Sequence, residues 1–132
     1  TPTHPDPPVS DDELVEQTVS SYLGNLRVFG RLAEAYRFKV LFVWQPVAFV
    51  GKGLTPVEAQ RVEARRSATG RFFEKVYARM ESAPTPPGFR NLSQVFDGND
   101  HSLYIDFCHV TEEGNRLVAE RISEELLPLL AP

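Results

Sequence analysis

From Phe38 to Trp44 the chain reads Phe-Lys-Val-Leu-Phe-Val-Trp, apolar at every position but Lys39 and with no alternation. Successive side chains of a strand point to opposite faces, so a strand with one wet face alternates apolar and polar residues. A run without alternation is the pattern of a strand covered on both faces, as in the parallel sheets of α/β folds. The N–H and C=O groups of such a strand need partners on both edges. The rest of the chain offers few: a short mixed stretch within Phe89 to Phe96, best around Arg90 to Leu92, that reads as an edge strand or extended loop, and Leu103 to Ile105. The expectation is a helix-rich α/β chain whose central strand is short of neighbours. Further strands are expected from a removed N-terminal half, a second polypeptide or a symmetry mate in a homo-oligomer.

Helices flank this strand. Ser10-Asp11-Asp12-Glu13 fits the S-x-x-E capping box, and Val15, Val19, Tyr22, Leu26, Phe29, Ala33 and Tyr36 follow at spacings of three and four. That predicts one long helix with a continuous apolar stripe, in which Gly30 costs up to about 1 kcal/mol. Thr55-Pro56-Val57-Glu58 repeats the signature with proline at the first helical position, and predicts a helix to about Ser82 with Phe72, Phe73, Val76, Tyr77 and Met80 on its buried side. Between strand and helix, residues 47–54 form a Gly-containing loop. In open α/β sheets ligands bind at the carboxyl ends of strands, so Gln45 and this loop are candidates to line a substrate crevice; a mobile connection is the alternative. Ala83 to Gly88 breaks the chain with three prolines, and Asp97-Gly98-Asn99-Asp100 is turn chemistry. Residues 1–9 carry four prolines and read as a linker or exposed loop, leaving residues 10–132 as the folded domain.

Composition removes several classes of function. At 132 residues and 42% apolar the chain can bury the core of one domain. A net charge of -4 provides no basic footprint for nucleic acid. No apolar run approaches the roughly 20 residues of a membrane span, and the N-terminal stretch is not a signal peptide, which leaves localisation open. The single cysteine, Cys108, excludes an intrachain disulfide and a Cys-rich zinc site, and it reads as a small hydrophobe. No cofactor is expected.

The chemistry concentrates in Ile105 to Arg116, I-D-F-C-H-V-T-E-E-G-N-R. Asp106 and His109 stand three apart, ahead of a helix start at Thr111 with an acidic first turn. Across one tight turn the carboxylate can reach the imidazole Nδ1–H, fix the ring tautomer and leave Nε2 free to take a proton. The stretch holds no nucleophile. Leu117, Val118, Ile122 and Leu126 continue it as an amphipathic C-terminal helix.

Asp106-x-x-His109-x-Thr111-x-x-Gly114-Asn115 leading into a final helix resembles the last conserved block of the SGNH (GDSL-type) hydrolases, serine esterases and acyl hydrolases with a flavodoxin-like three-layer α/β/α fold. The resemblance implies that Asp106 and His109 are the second and third members of a Ser-His-Asp triad, and that the substrate is an ester of a small molecule, lipid or carbohydrate. Less specifically, the order of elements matches the C-terminal portion of that fold over nearly the whole chain. The family's Gly-Asp-Ser nucleophile block and its oxyanion donors are absent; Gly98-Asn99-Asp100 lacks the spacing of the Gly-x-Asn-Asp donor motif. The chain is therefore expected to be inactive alone. Ser93 and Ser102 lie nearest in sequence but read as turn formers rather than a nucleophile elbow. Two other readings stay open: an interaction or structural subunit with a vestigial Asp-His pair, and a metal site drawn from Asp97, Asp100, His101, Asp106, Cys108 and His109.

Overall fold

The computed structural model describes residues 9–130, so the expected linker lies, apart from Val9, outside the described residues. Helix α1 spans Asp11–Tyr36, strand β1 Phe42–Trp44, helix α2 Pro56–Arg65, a π-helical turn Arg66–Gly70, helix α3 Arg71–Glu81, strand β2 Phe89–Asn91 and helix α4 Glu112–Leu130. The chain is helix-rich α/β with a two-stranded parallel sheet, in which Phe42 pairs with Phe89 and Trp44 with Asn91.

The predicted strand is cut from seven residues to three. Phe38 N–H is spent on the Ala33 carbonyl, where Arg37, at φ 57°, turns the chain out of α1 in a left-handed cap. β2 offers only three residues, so the ladder begins at Phe42 and ends at Trp44. Phe38 is exposed and Val43 and Trp44 are only half-buried. Among the described residues one edge of each strand has no strand partner. The predicted pairing by Leu103 to Ile105 reduces to one antiparallel bridge between Tyr104 and Val110.

The helices start where their caps predict. Ser10 Oγ accepts Glu13 N–H at 3.2 Å, but Glu13 turns to Gln17 and leaves this capping box half formed. Thr55 and Glu58 close theirs in both directions. The helix predicted from Pro56 to about Ser82 ends on schedule but is divided by the π turn, where Gly70 has no side chain to keep the Phe49 ring away.

Two apolar clusters form the core. The first joins Val15, Val19, Leu23 and Leu26 of α1 to Phe42, Val47 and the Val76, Tyr77 and Met80 face of α3. Burial of each such side chain is worth about 1.5–3 kcal/mol, far more than the exposed ion pairs Lys75–Asp12 and Arg79–Glu16 on the same interface. Phe29 and Tyr36, assigned to this stripe from their spacing, are instead exposed with Val28 and Leu32, because β1 and α3 cover only one sector of so long a helix. The second cluster packs Ala48, Val62, Phe96, Leu103 and Tyr104 under the loops, with Leu117 and Val118 of α4 against it. Beyond them α4 is lightly seated: Ile122 is half-buried, and Leu126 is exposed. No described helix is long and apolar enough to cross a membrane.

Candidate active site

The loop carrying Asp106 and His109 is built on the second cluster. Leu103 and Tyr104 are fully buried and lead into it, and Ile105 N–H donates to the His109 carbonyl while Thr111 N–H donates to the Leu103 carbonyl, both at 2.8 Å. These bonds close residues 105–109 into a short loop ahead of α4, whose first turn is capped by Thr111 Oγ1 accepting Gly114 N–H at 3.2 Å. The loop is pinned from behind. Ala48 N–H donates to the Phe107 carbonyl at 2.9 Å, and the Phe107 ring lies against Phe49 and Phe73 with the Arg65 guanidinium 5.0 Å from its centre. The 47–54 segment is thus part of the support rather than a mere connection; Val47, Ala48 and Lys52 are all buried.

Within this frame Asp106 makes three contacts. Its Oδ1 accepts the backbone N–H groups of Cys108 and His109 at 2.9 and 2.8 Å, and its Oδ2 lies 2.8 Å from His109 Nδ1. The two backbone donors, then the ring, hold the Asp106 carboxyl well below the usual carboxylate range. A single ring proton placed on Nδ1 and given to Asp106 would leave Nε2 as the accepting nitrogen, and the His109 side chain is 74% exposed. An oriented imidazole with an open proton-accepting nitrogen is equipped for general base and general acid work.

The other expected residues fall in different places. Gln45 is exposed on a mainly apolar depression of about 390 Å³ with Tyr22, Trp44, Phe73 and Tyr77, and its carbonyl accepts the Tyr77 hydroxyl at 2.6 Å. None of residues 105–109 lines that depression. Ser102 Oγ is 2.7 Å from Thr55 Oγ1, and Ser93 is buried. Of the six residues considered for a metal, Asp106, Cys108 and His109 bring ligand atoms within 4.8 Å of one another, whereas His101 Nδ1 is held by Glu113 at 2.9 Å. The three are already in contact with one another: His109 Nδ1 lies 2.8 Å from Asp106 Oδ2 and 3.6 Å from Cys108 Sγ, and burial, then the Asp106 charge, push the Cys108 thiol up. Cys108 also packs against the first cluster.

No family model matches the chain, and no curated protein or solved structure does either.

The residue that sequence reasoning undervalued is Glu58. Read as a helix cap, its carboxylate is fully buried; Oε2 accepts from Lys52 Nζ and Thr55 N–H, both at 2.8 Å, and Oε1 from Leu103 N–H at 2.7 Å and Tyr104 N–H at 2.9 Å. Burial by itself would raise its pKa, but Lys52 and the three backbone donors outweigh it and hold the group at about 2. The capping box was the signal in the sequence. The 45-residue span from Glu58 to Leu103 left no local trace.

Gly114 has an equally local reason. A Cβ there would meet Val110 Cβ at 2.9 Å and the Leu103 carbonyl at 3.1 Å, so α4 reaches the loop only because this position has no side chain. Helix propensity alone predicts that Gly114→Ala stabilises by about 1 kcal/mol. The opposite is expected, a loss of about 1–3 kcal/mol, because Leu103 is fixed through Glu58 and cannot retreat. Urea denaturation of the variant distinguishes the two signs.

Proposed function

We propose that this chain supplies the Asp-His pair of an ester hydrolase of the SGNH type, within a flavodoxin-like fold completed by polypeptide outside these 132 residues. The observation that carries the reading is the 2.8 Å contact between Asp106 Oδ2 and His109 Nδ1 on a ring otherwise open to solvent. Two further features support it. β1 keeps a strand edge without a partner among the described residues, as an incomplete sheet would, and Val28, Phe29, Leu32 and Tyr36 form an exposed apolar stripe of the kind that marks a contact surface.

In this reading a serine from the completing segment, an N-terminal half or a second chain, attacks the ester carbonyl. His109 Nε2 takes its proton, Asp106 stabilises the imidazolium that forms, and the same nitrogen then protonates the departing alcohol. Water repeats the sequence on the acyl-enzyme. The oxyanion donors come from the completing segment, and loss of even one costs on the order of 10²- to 10³-fold. Gln45 and its depression are the proposed contact for part of the substrate, an ester of a small molecule, lipid or carbohydrate.

The test is hydrolysis of p-nitrophenyl acetate by the chain alone and by the chain produced with the polypeptide encoded upstream of Thr1. Activity in the mixture only, lost in His109→Ala, is the expected result. Activity that survives His109→Ala removes the triad assignment, and no activity in any mixture leaves the pair vestigial in an interaction subunit.

A further inference from the structure

Glu58 and Lys52 lie on elements that carry no proposed chemistry, yet both are almost fully removed from solvent, with side chains 0% and 1% exposed. A buried ion pair is weak evidence for stability, since apolar residues of the same volume commonly serve as well. The arrangement is therefore better explained by where its bonds lead. Glu58 Oε1 takes two consecutive backbone N–H groups, Leu103 and Tyr104, the last residues before the Asp-His loop opens at Ile105. Arg61, one helical turn further along α2, donates to the Tyr104 carbonyl at 2.8 Å. Opposite them, the Leu103 carbonyl and Ile105 N–H are the groups that bond to Thr111 and His109 and shut the loop. The run 103–105 is thus clamped on one side by α2 and on the other closes the turn that sets Asp106 against His109.

We propose that Glu58 is a positioning residue for the Asp106–His109 pair, with Lys52 as the cation that keeps it ionised in the interior. The chemistry explains the residue type. An ionised carboxylate is an acceptor only, with lone pairs enough for all four donors around it: Lys52 Nζ and the N–H groups of Thr55, Leu103 and Tyr104. A glutamine offers one accepting oxygen and turns an NH₂ group toward donors. Loss of the carboxylate frees the backbone of residues 103 and 104 to rotate, and the turn they anchor loses the geometry that aims Oδ2 at Nδ1. The catalytic consequence rests on the hydrolase reading, whereas the structural coupling to the His109 ring does not.

The experiment separates the two. In the full chain labelled with ¹⁵N-histidine, the ring nitrogen shifts of His109 report which nitrogen carries the proton. The wild type is expected in one tautomer, Nδ1 protonated. Glu58→Gln is expected to give a mixture, with at least several-fold more of the Nε2–H form. Val19→Ala, which opens a cavity in the other cluster, is the control for lost stability and is expected to leave the tautomer unchanged. If Glu58→Gln does not fold, the double variant Lys52→Met/Glu58→Gln, which leaves no unpaired ion, is read in its place. An unchanged tautomer in the Glu58 variant, or an equal change in Val19→Ala, overturns the proposal. A tautomer that responds to Glu58 in a protein without esterase activity in any mixture retains the positioning role and removes the hydrolase reading. Activity in the mixture that Glu58→Gln leaves intact, with the tautomer intact, does the reverse.

Discussion

On the proposed hydrolase reading, Asp106→Asn, made in this chain and assayed together with the proposed serine-bearing segment, is expected to lower kcat by about 10⁴-fold with little change in KM. The reason lies in what the amide presents to the ring. Its carbonyl oxygen can keep the place of Oδ1 and accept the N–H groups of Cys108 and His109, so the turn survives. Its NH₂ then faces Nδ1, where Oδ2 stood at 2.8 Å. Two donors cannot share that contact, and the imidazole changes tautomer: Nδ1 accepts and Nε2 carries the proton. A histidine protonated at Nε2 cannot take a proton from serine. Asp106→Asn should lower the urea midpoint without unfolding the chain, because the charge is lost but two of its three bonds remain. A variant that unfolds, or one that keeps kcat within tenfold, contradicts this account.

The second large effect is on stability. Glu58→Ala is expected to cost about 3–5 kcal/mol, since it leaves a buried ammonium, two buried backbone donors and the part-buried Thr55 N–H without their acceptor. Against a total of about 5–15 kcal/mol for a domain of ordinary stability, that is enough to unfold much of the population on mild heating. The same group predicts the acid limb. Its pKa is about 2 in the folded chain against an ordinary 4.5, so the unfolded state binds a proton more readily. The stabilisation is fully present above about pH 5 and is lost as pH falls toward 2, with a magnitude of about 3 kcal/mol. Asp106, whose carboxyl is also depressed, acts in the same direction. Urea midpoints measured at pH 7 and pH 3 should therefore fall steeply for the wild type and less steeply for Glu58→Gln; parallel slopes count against Glu58 as the source.

Local information carried parts of this molecule and failed at others for identifiable reasons. The starts of α1, α2 and α4 were legible because an N-cap is a contact between residues three apart, which a sequence displays directly. The Asp106–His109 contact was legible for the same reason. The extent of β1 was not, because strand length depends on the partner, and β2 supplies three residues where the apolar run has seven. The outward turn of Phe29 and Tyr36 was equally hidden: helical spacing gives a stripe but not which part of it a neighbouring element covers. The π turn was hidden as well; at its end Gly70 meets the Phe49 ring, a contact that spans 21 positions.

By itself the sequence determined the helix caps, the α/β class and the pairing of a carboxylate with an imidazole, since each arises among residues within one turn or from the pattern of a single segment. Only the tertiary structure decided that a capping glutamate is buried, ionised through Lys52 and bonded to the backbone beneath the Asp-His loop. Burial and long-range hydrogen bonding depend on which segments meet in space, and residues 58 and 103 carry no mark of each other until the chain has folded.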